Sequence, residues 1–122
     1  MKQVGASASR RVIGITARIG EDYLEAFGGV SQKYFRTSQG ARFVDQFVDD
    51  VAHESKVGYT ALTKFIKIQI AKDAELLDTQ VVSKVIWHFF KNPATGAGGP
   101  SKPLRNELIK AGIEIVEHKT AE

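Results

Sequence analysis

Two β-prone runs, Arg42 to Val48 and Val51 to Val57, are separated by only two residues, Asp49 and Asp50. A two-residue connection between such runs predicts a tight hairpin, and aspartate tolerates the positive φ that these turns require. Few other features constrain the fold so strongly, because a two-residue turn fixes the register. Paired residues then have numbers that sum to 99, which sets Asp45 opposite Glu54 and Phe43 opposite Lys56. Side chains alternate along a strand, so Glu54 and Lys56 share a face. The expectation is that Asp45, Glu54 and Lys56 converge beside Phe43, Phe47 and Ala52, taken as core.

Two carboxylates facing each other repel and cost stability. A hard divalent cation resolves this conflict, since magnesium takes oxygen ligands. A neighbouring lysine adds positive charge where a phosphodiester transition state gathers negative charge. The alternative is a structural salt bridge between Lys56 and Glu54, with Asp45 at the rim.

The rest of the chain predicts an α/β fold, a mixed central sheet flanked by helices. Helical spacing of Ile19, Tyr23, Ala26 and Phe27 marks a helix over Arg18 to Phe27, stopped by Gly28 and Gly29. Gln32 to Arg36 reads as a strand before a turn at Thr37–Gly40. Thr60 is expected to cap a long helix reaching about Leu77. Val81 to Phe90 reads as a buried strand. Ser101 caps a helix over Lys102 to Ala111, and Ile113 to Val116 is the last strand. On the long helix, Leu62, Phe65, Ile66, Ile70 and Leu77 form an apolar stripe. Gln69 and Asp73 fall inside that stripe and Lys72 on its flank. Polar groups facing a core need partners, which a site at the sheet edge or a backbone group would provide.

At 122 residues a single domain, 1–122, is expected, with the first ten or so residues loosely held. The chain has no cysteine, so disulfide frameworks and cysteine-based zinc sites are excluded. No apolar run suggests a membrane-spanning segment, and the N-terminus lacks an apolar signal core. A net charge of +3 and a pI of about 9.2 point mildly to a polyanionic partner. Lys33, Arg36, Arg42, Lys64 and Lys67 are candidates to line such a surface. His53 and Ser55 are expected on the face opposite Glu54, which argues against a nucleophilic dyad. His88 reads as an ordinary packed histidine and His118 as solvated. The glycine-rich stretch Thr95 to Lys102 lacks the ending of a phosphate-binding loop.

The segments Arg42-Phe43-Val44-Asp45 and Ala52-His53-Glu54-Ser55-Lys56-Val57-Gly58, followed by a helix with Gln69-Ile70-Ala71-Lys72-Asp73, resemble the PD-(D/E)XK nucleases. The resemblance is strongest to the restriction-endonuclease-like toxin domains at the C-termini of contact-dependent growth inhibition and related polymorphic toxins, and runs from about Gly20 to the chain end. No proline precedes Asp45, where Val44 stands. The resemblance implies a restriction-endonuclease-like core and an endonuclease needing a divalent metal, Mg2+ first and Mn2+ or Zn2+ next. Asp45 and Glu54 would bind the metal, with the Ser55 carbonyl as a further ligand. Lys56 would orient or activate water, Gln69 would help position it, and Lys72 would contact the scissile phosphate. Glu21 is the candidate for a further metal ligand on the first helix, with Glu25 the alternative and a solvated role open for both. The implied substrate is tRNA, slightly ahead of DNA (tRNase or DNase). The implied partner is a cognate immunity protein with an acidic surface. The implied setting is delivery from a secreted or surface toxin into the cytoplasm of a target bacterium. A non-catalytic nucleic-acid- or protein-binding module, and a DNA-processing nuclease that is not a toxin, are the competing readings.

Overall fold

The computed structural model describes residues 18–119, so the expected looseness of the first ten lies outside the described residues. It is an α/β fold with a five-stranded mixed sheet and, among the described residues, three helices. The order is α1 (18–25), β1 (Val30–Thr37), β2 (Gly40–Val48), β3 (Val51–Val57), α2 (Lys64–Asp78), β4 (Lys84–Phe90), α3 (Lys102–Lys110) and β5 (Glu114–Glu117). The strands lie side by side in chain order. β1, β2 and β3 form an antiparallel meander, while β4 and β5 run parallel to β3.

Both parallel connections step the same way across the sheet. Such crossovers are right-handed, so α2 and α3 fall on one face. Their apolar sides, including Ile66, Ile70, Leu76, Leu104 and Leu108, pack with Ala52, Val85, Trp87 and Phe89 into the main core. The other face is covered by α1. That helix lies close: a Cβ on Gly20 would come within 2.7 Å of the Ser55 hydroxyl and 3.0 Å of the Phe90 ring. Gly29 carries the chain from α1 into β1 at φ 80°, and a Cβ there would meet the Phe47 carbonyl at 2.2 Å. No helix among the described residues is long and apolar enough to cross a membrane.

The two-residue turn is made as expected, with Asp49 at φ 50° and Asp50 at φ 70°. Two expected placements around α2 change. Phe65 is not in the core stripe but 66% exposed; the buried face of α2 is Ile66, Ile70, Asp73 and Leu76. The cap of α2 is Thr63, whose hydroxyl accepts the Ile66 N–H at 3.2 Å. Thr60 instead bridges to Pro100 and donates its hydroxyl to the Gly58 carbonyl. Thr63→Ala is therefore expected to cost about 1 kcal/mol of stability. Thr60→Ala leaves the helix cap intact. Equal costs for the two variants in urea denaturation would contradict this assignment.

Candidate active site

β2 and β3 pair only near their turn: Gln46 with His53, Phe47 with Ala52, and Val48 with Val51. All three pairs sum to 99, as the sequence predicts. The ladder then stops. Beyond it β2 stays paired with β1 as far as Gly40, and β3 stays paired with β4 as far as Val57. The sheet is thus split, and Asp45 stands where the split opens.

The backbone is kinked at that point. Gln32, across β1 from Asp45, adopts φ 52°, and regular pairing resumes at Lys33 with Val44. Val44 and Phe47 both reach the main core, which strict alternation over three residues forbids, so alternation breaks at Asp45; β1 breaks with it at Gln32, and the β1–β2 register is the same on both sides. This changes two expectations. Asp45 is not directly opposite Glu54; its Oδ2 accepts the Ser55 backbone N–H at 2.8 Å, and its Oδ1 accepts from Gln32 Nε2 at 3.2 Å. Phe43 is not core beside Phe47, because the break in alternation at Asp45 reverses its face and leaves it 53% exposed.

Glu54 and Lys56 do share a face, the one under α2. Glu54 is buried, and Lys56 Nζ lies 3.2 Å from its Oε2. Lys56 Nζ also donates to Gln69 Oε1 at 2.6 Å and sits 5.0 Å above the centre of the Trp87 ring. Gln69 therefore does not serve a backbone group; the stripe position that seemed unfavourable for a polar residue holds the lysine.

Arg42 was expected on a surface and is 4% exposed. Its guanidinium spans the gap left by the missing ladder. Nη2 reaches Glu54 Oε1 at 3.2 Å, while Nε and Nη2 donate to Asp73 Oδ1 and Oδ2 at 2.7 and 3.0 Å. Asp73, fully buried, also accepts from Trp87 Nε1 at 2.9 Å. Sequence reasoning missed Arg42, Trp87 and Gln32. The available signal was Asp73 itself, an acid in an apolar stripe that requires a buried cation.

The remaining candidates divide. Glu21 faces the site from α1. Burial raises its pKa, Arg18 opposes this, and the negative charge of Glu54 adds to the rise. Its charge is also felt at Asp45. Glu25 lies a turn further on and accepts, as Glu21 does, from Arg18. Lys72 is directed elsewhere: its Nζ donates to the Ala41 carbonyl at 2.9 Å, near the β1–β2 turn.

Burial raises the pKa of Asp45, although the hydrogen bonds from Ser55 and Gln32 act against it. Burial pushes Glu54 up to about 6, with Arg42 and Lys56 holding it from going higher. Arg42 is raised above its ordinary value, because Glu54 and Asp73 outweigh the burial that would lower it.

Among the described residues no group of three or more histidine, cysteine, aspartate or glutamate side chains could hold a metal ion. Magnesium does not require one, since it binds through one or two carboxylates and keeps several waters. Glu54 feels the negative charge of Asp45 across the split, which suits that donor set.

On the opposite face three imidazoles form a chain. His53 Nδ1 lies 2.9 Å from His88 Nε2, and His88 Nδ1 lies 3.0 Å from His118 Nε2. His118 is therefore not simply solvated; it stacks on Phe90 and meets Tyr23 of α1. His53 points away from Glu54, as expected. Because His88 offers a different nitrogen to each neighbour, the three do not converge on one point. Burial and the two flanking histidines pull His88 down to about 3 from 6.5.

This gives a pH dependence. Below pH 6.5 the unfolded chain protonates His88 and the folded chain does not, so folding loses ~1.4 kcal/mol per unit until about pH 3. Glu54 works the other way. Its pKa is raised from 4.5 to about 6, so the folded state gains ~2 kcal/mol as pH falls through that interval. The two largely offset down to pH 4.5, below which the His88 loss continues without compensation from Glu54; His53 and His118, also lowered by burial, add to the loss, while Asp45 and Glu21, raised by burial, oppose it. The net His88 contribution to acid destabilisation is expected to be largest there, and His88→Gln is expected to flatten that fall. Urea titrations at several pH values check it; an unchanged slope in the variant would refute it.

Comparison of the chain with protein families, curated proteins and solved structures returns no match.

Proposed function

We propose that this chain is a metal-dependent endonuclease with a restriction-endonuclease-like core of the PD-(D/E)XK kind. The observation that carries the reading is the fixing of Lys56 Nζ between Glu54 and Gln69, beside a split in the sheet where Asp45 stands. The support is an ordered whole. The chain runs α1, antiparallel β1–β2–β3, α2, then β4 parallel to β3, with the aspartate on β2, Glu-x-Lys on β3 and the glutamine on α2.

Asp45 and Glu54, with the Ser55 carbonyl, would hold Mg2+, and Glu21, which is not grouped with them, would join the site only by moving in from α1. A divalent ion lowers the pKa of bound water and neutralises charge on the phosphate. Lys56 then orients the attacking water and stabilises the developing negative charge. Gln69 keeps the ammonium in place. Arg42 fixes the rotamer of Glu54 from the far side, so that its second oxygen faces Lys56. Lys72, held at Ala41, would reach a phosphate only by leaving that carbonyl.

The same resemblance makes tRNA the first substrate to test and DNA the second. It also makes an acidic immunity protein the expected partner, and delivery from a secreted or surface toxin into the cytoplasm of a target bacterium the expected setting. A second reading, a non-catalytic binding module, has one observation in its favour. Both oxygens of Asp45 and of Glu54 already have protein partners.

The test is incubation of the protein with total RNA and with plasmid DNA, with Mg2+, Mn2+ or Zn2+, and with a chelator. Metal-dependent cleavage that disappears in folded Asp45→Ala is expected. Intact nucleic acid under every condition would favour the binding module and defeat the nuclease reading.

A further inference from the structure

Phe35 and Arg42 are paired across β1 and β2 and belong to the face under α2. Their neighbours Tyr34 and Phe43, also paired, therefore project from the other face. There they lie beyond the cover of α1, 50% and 53% exposed, with ring centres 5.4 Å apart and planes tilted by 55°. Two large aromatic rings left half in water on a sheet do little for folding. Their location is specific: Phe43 is two residues from Asp45, and Tyr34 two residues from Gln32, the partner of Asp45. Along the backbone, Phe43 and Asp45 are two strand residues apart, roughly 7 Å in a regular strand. Arg36 follows on the same face of β1, exposed and set opposite the small Ala41.

We propose that Tyr34 and Phe43 form a stacking surface for one unpaired nucleobase of a polynucleotide, adjacent to the phosphodiester presented to Asp45, with Arg36 contacting a neighbouring phosphate. This rests on the nuclease reading and narrows its substrate. Aromatic faces presented by a sheet reach bases that are unstacked, in single strands, loops or bulges, and do not reach those inside an intact duplex. An exposed guanidinium next to the rings supplies the charge that a polyanion requires and that an apolar protein partner does not. The substrate class is then a nucleic acid with an unpaired residue at the cleavage point.

Binding is measured with the wild-type protein in chelator, so that nothing is cut, by anisotropy of a labelled single-stranded oligonucleotide and of its blunt duplex. The single strand is expected to bind at least ~10-fold more tightly. Tyr34→Ala and Phe43→Ala are each expected to weaken it ~5- to 100-fold, with duplex binding little changed. Phe43→Leu keeps an apolar side chain without an aromatic face, and is expected to behave as Phe43→Ala does. Phe43→Trp is expected to retain binding. A preference for duplex, unaltered single-strand binding in the folded leucine variant, or no nucleic-acid binding at all would overturn the proposal. The last result would leave the face to a protein partner. Cleavage with Mg2+ measured in parallel separates the two ideas. If wild type cuts but the variants bind and cut unpaired substrate normally, the stacking surface fails and the nuclease stands. If nothing is cut yet stacking binding is lost in the variants, the reverse holds.

Discussion

Lys56→Ala is expected to reduce phosphodiester cleavage by about three orders of magnitude, the scale of losing a positioned charge or proton-transfer group in a low-dielectric site. Three contacts hold this ammonium: Glu54 at 3.2 Å, Gln69 at 2.6 Å and the Trp87 ring at 5.0 Å. Gln69→Ala removes one of them and is expected to cost much less, about tenfold, because the carboxylate and the ring still retain the lysine. A structural ion pair would leave cleavage unchanged in both variants. The pH profile supplies a second readout. Lys56 helps hold Glu54 at about 6, so its loss lets that carboxyl rise further. The acid limb of any residual activity is then expected to move to higher pH. Retention of more than a tenth of wild-type cleavage by folded Lys56→Ala would remove this residue from the mechanism.

Asp73→Ala carries the largest expected cost in stability, ~3–5 kcal/mol, the usual result of stranding a buried charge. The variant leaves the Arg42 guanidinium with only Glu54 and the Phe43 carbonyl, and deprives the Trp87 indole N–H of its acceptor. Total stability of small domains is ~5–15 kcal/mol, so a substantial unfolded fraction is expected at 37 °C. The double variant Arg42→Met/Asp73→Leu removes both charges together and is expected to regain most of the loss. It folds without the group that fixes Glu54, so recovered stability with impaired cleavage would separate the two roles of Arg42. Denaturation in urea of the singles and the double measures the coupling. A cost below about 1 kcal/mol for Asp73→Ala would mean that the buried network is not held as described.

Much of this was legible in the chain before its coordinates. The Asp49–Asp50 turn set the register of three residue pairs, and alternation put Glu54 and Lys56 on one face. The misplaced polarity of Gln69 and Asp73 pointed to partners that exist. What failed was local. The break at Asp45 leaves no mark on hydrophobic periodicity, because Gln32 could equally have stayed extended; the lost alternation then turned Phe43 outward. Arg42 was misjudged since an arginine on a strand is normally exposed. The histidine chain was illegible because His53, His88 and His118 come together only through the parallel pairing of β3, β4 and β5, which no local pattern reveals.

The split sheet has a mechanical consequence. Asp45 rides with the β1–β2 hairpin and Glu54 with β3 and β4, and beyond three residue pairs the two strands are linked across the split by side chains, Asp45 accepting the Ser55 N–H and Arg42 reaching Glu54. The two halves are expected to act as the jaws of a clamp pivoting near the Asp49–Asp50 turn. Amide exchange near the mouth, at Ser55 and Val44, is expected to slow when Mg2+ binds, while exchange beside the pivot is expected to change little. Equal slowing at both ends would mean a rigid frame in place of a clamp.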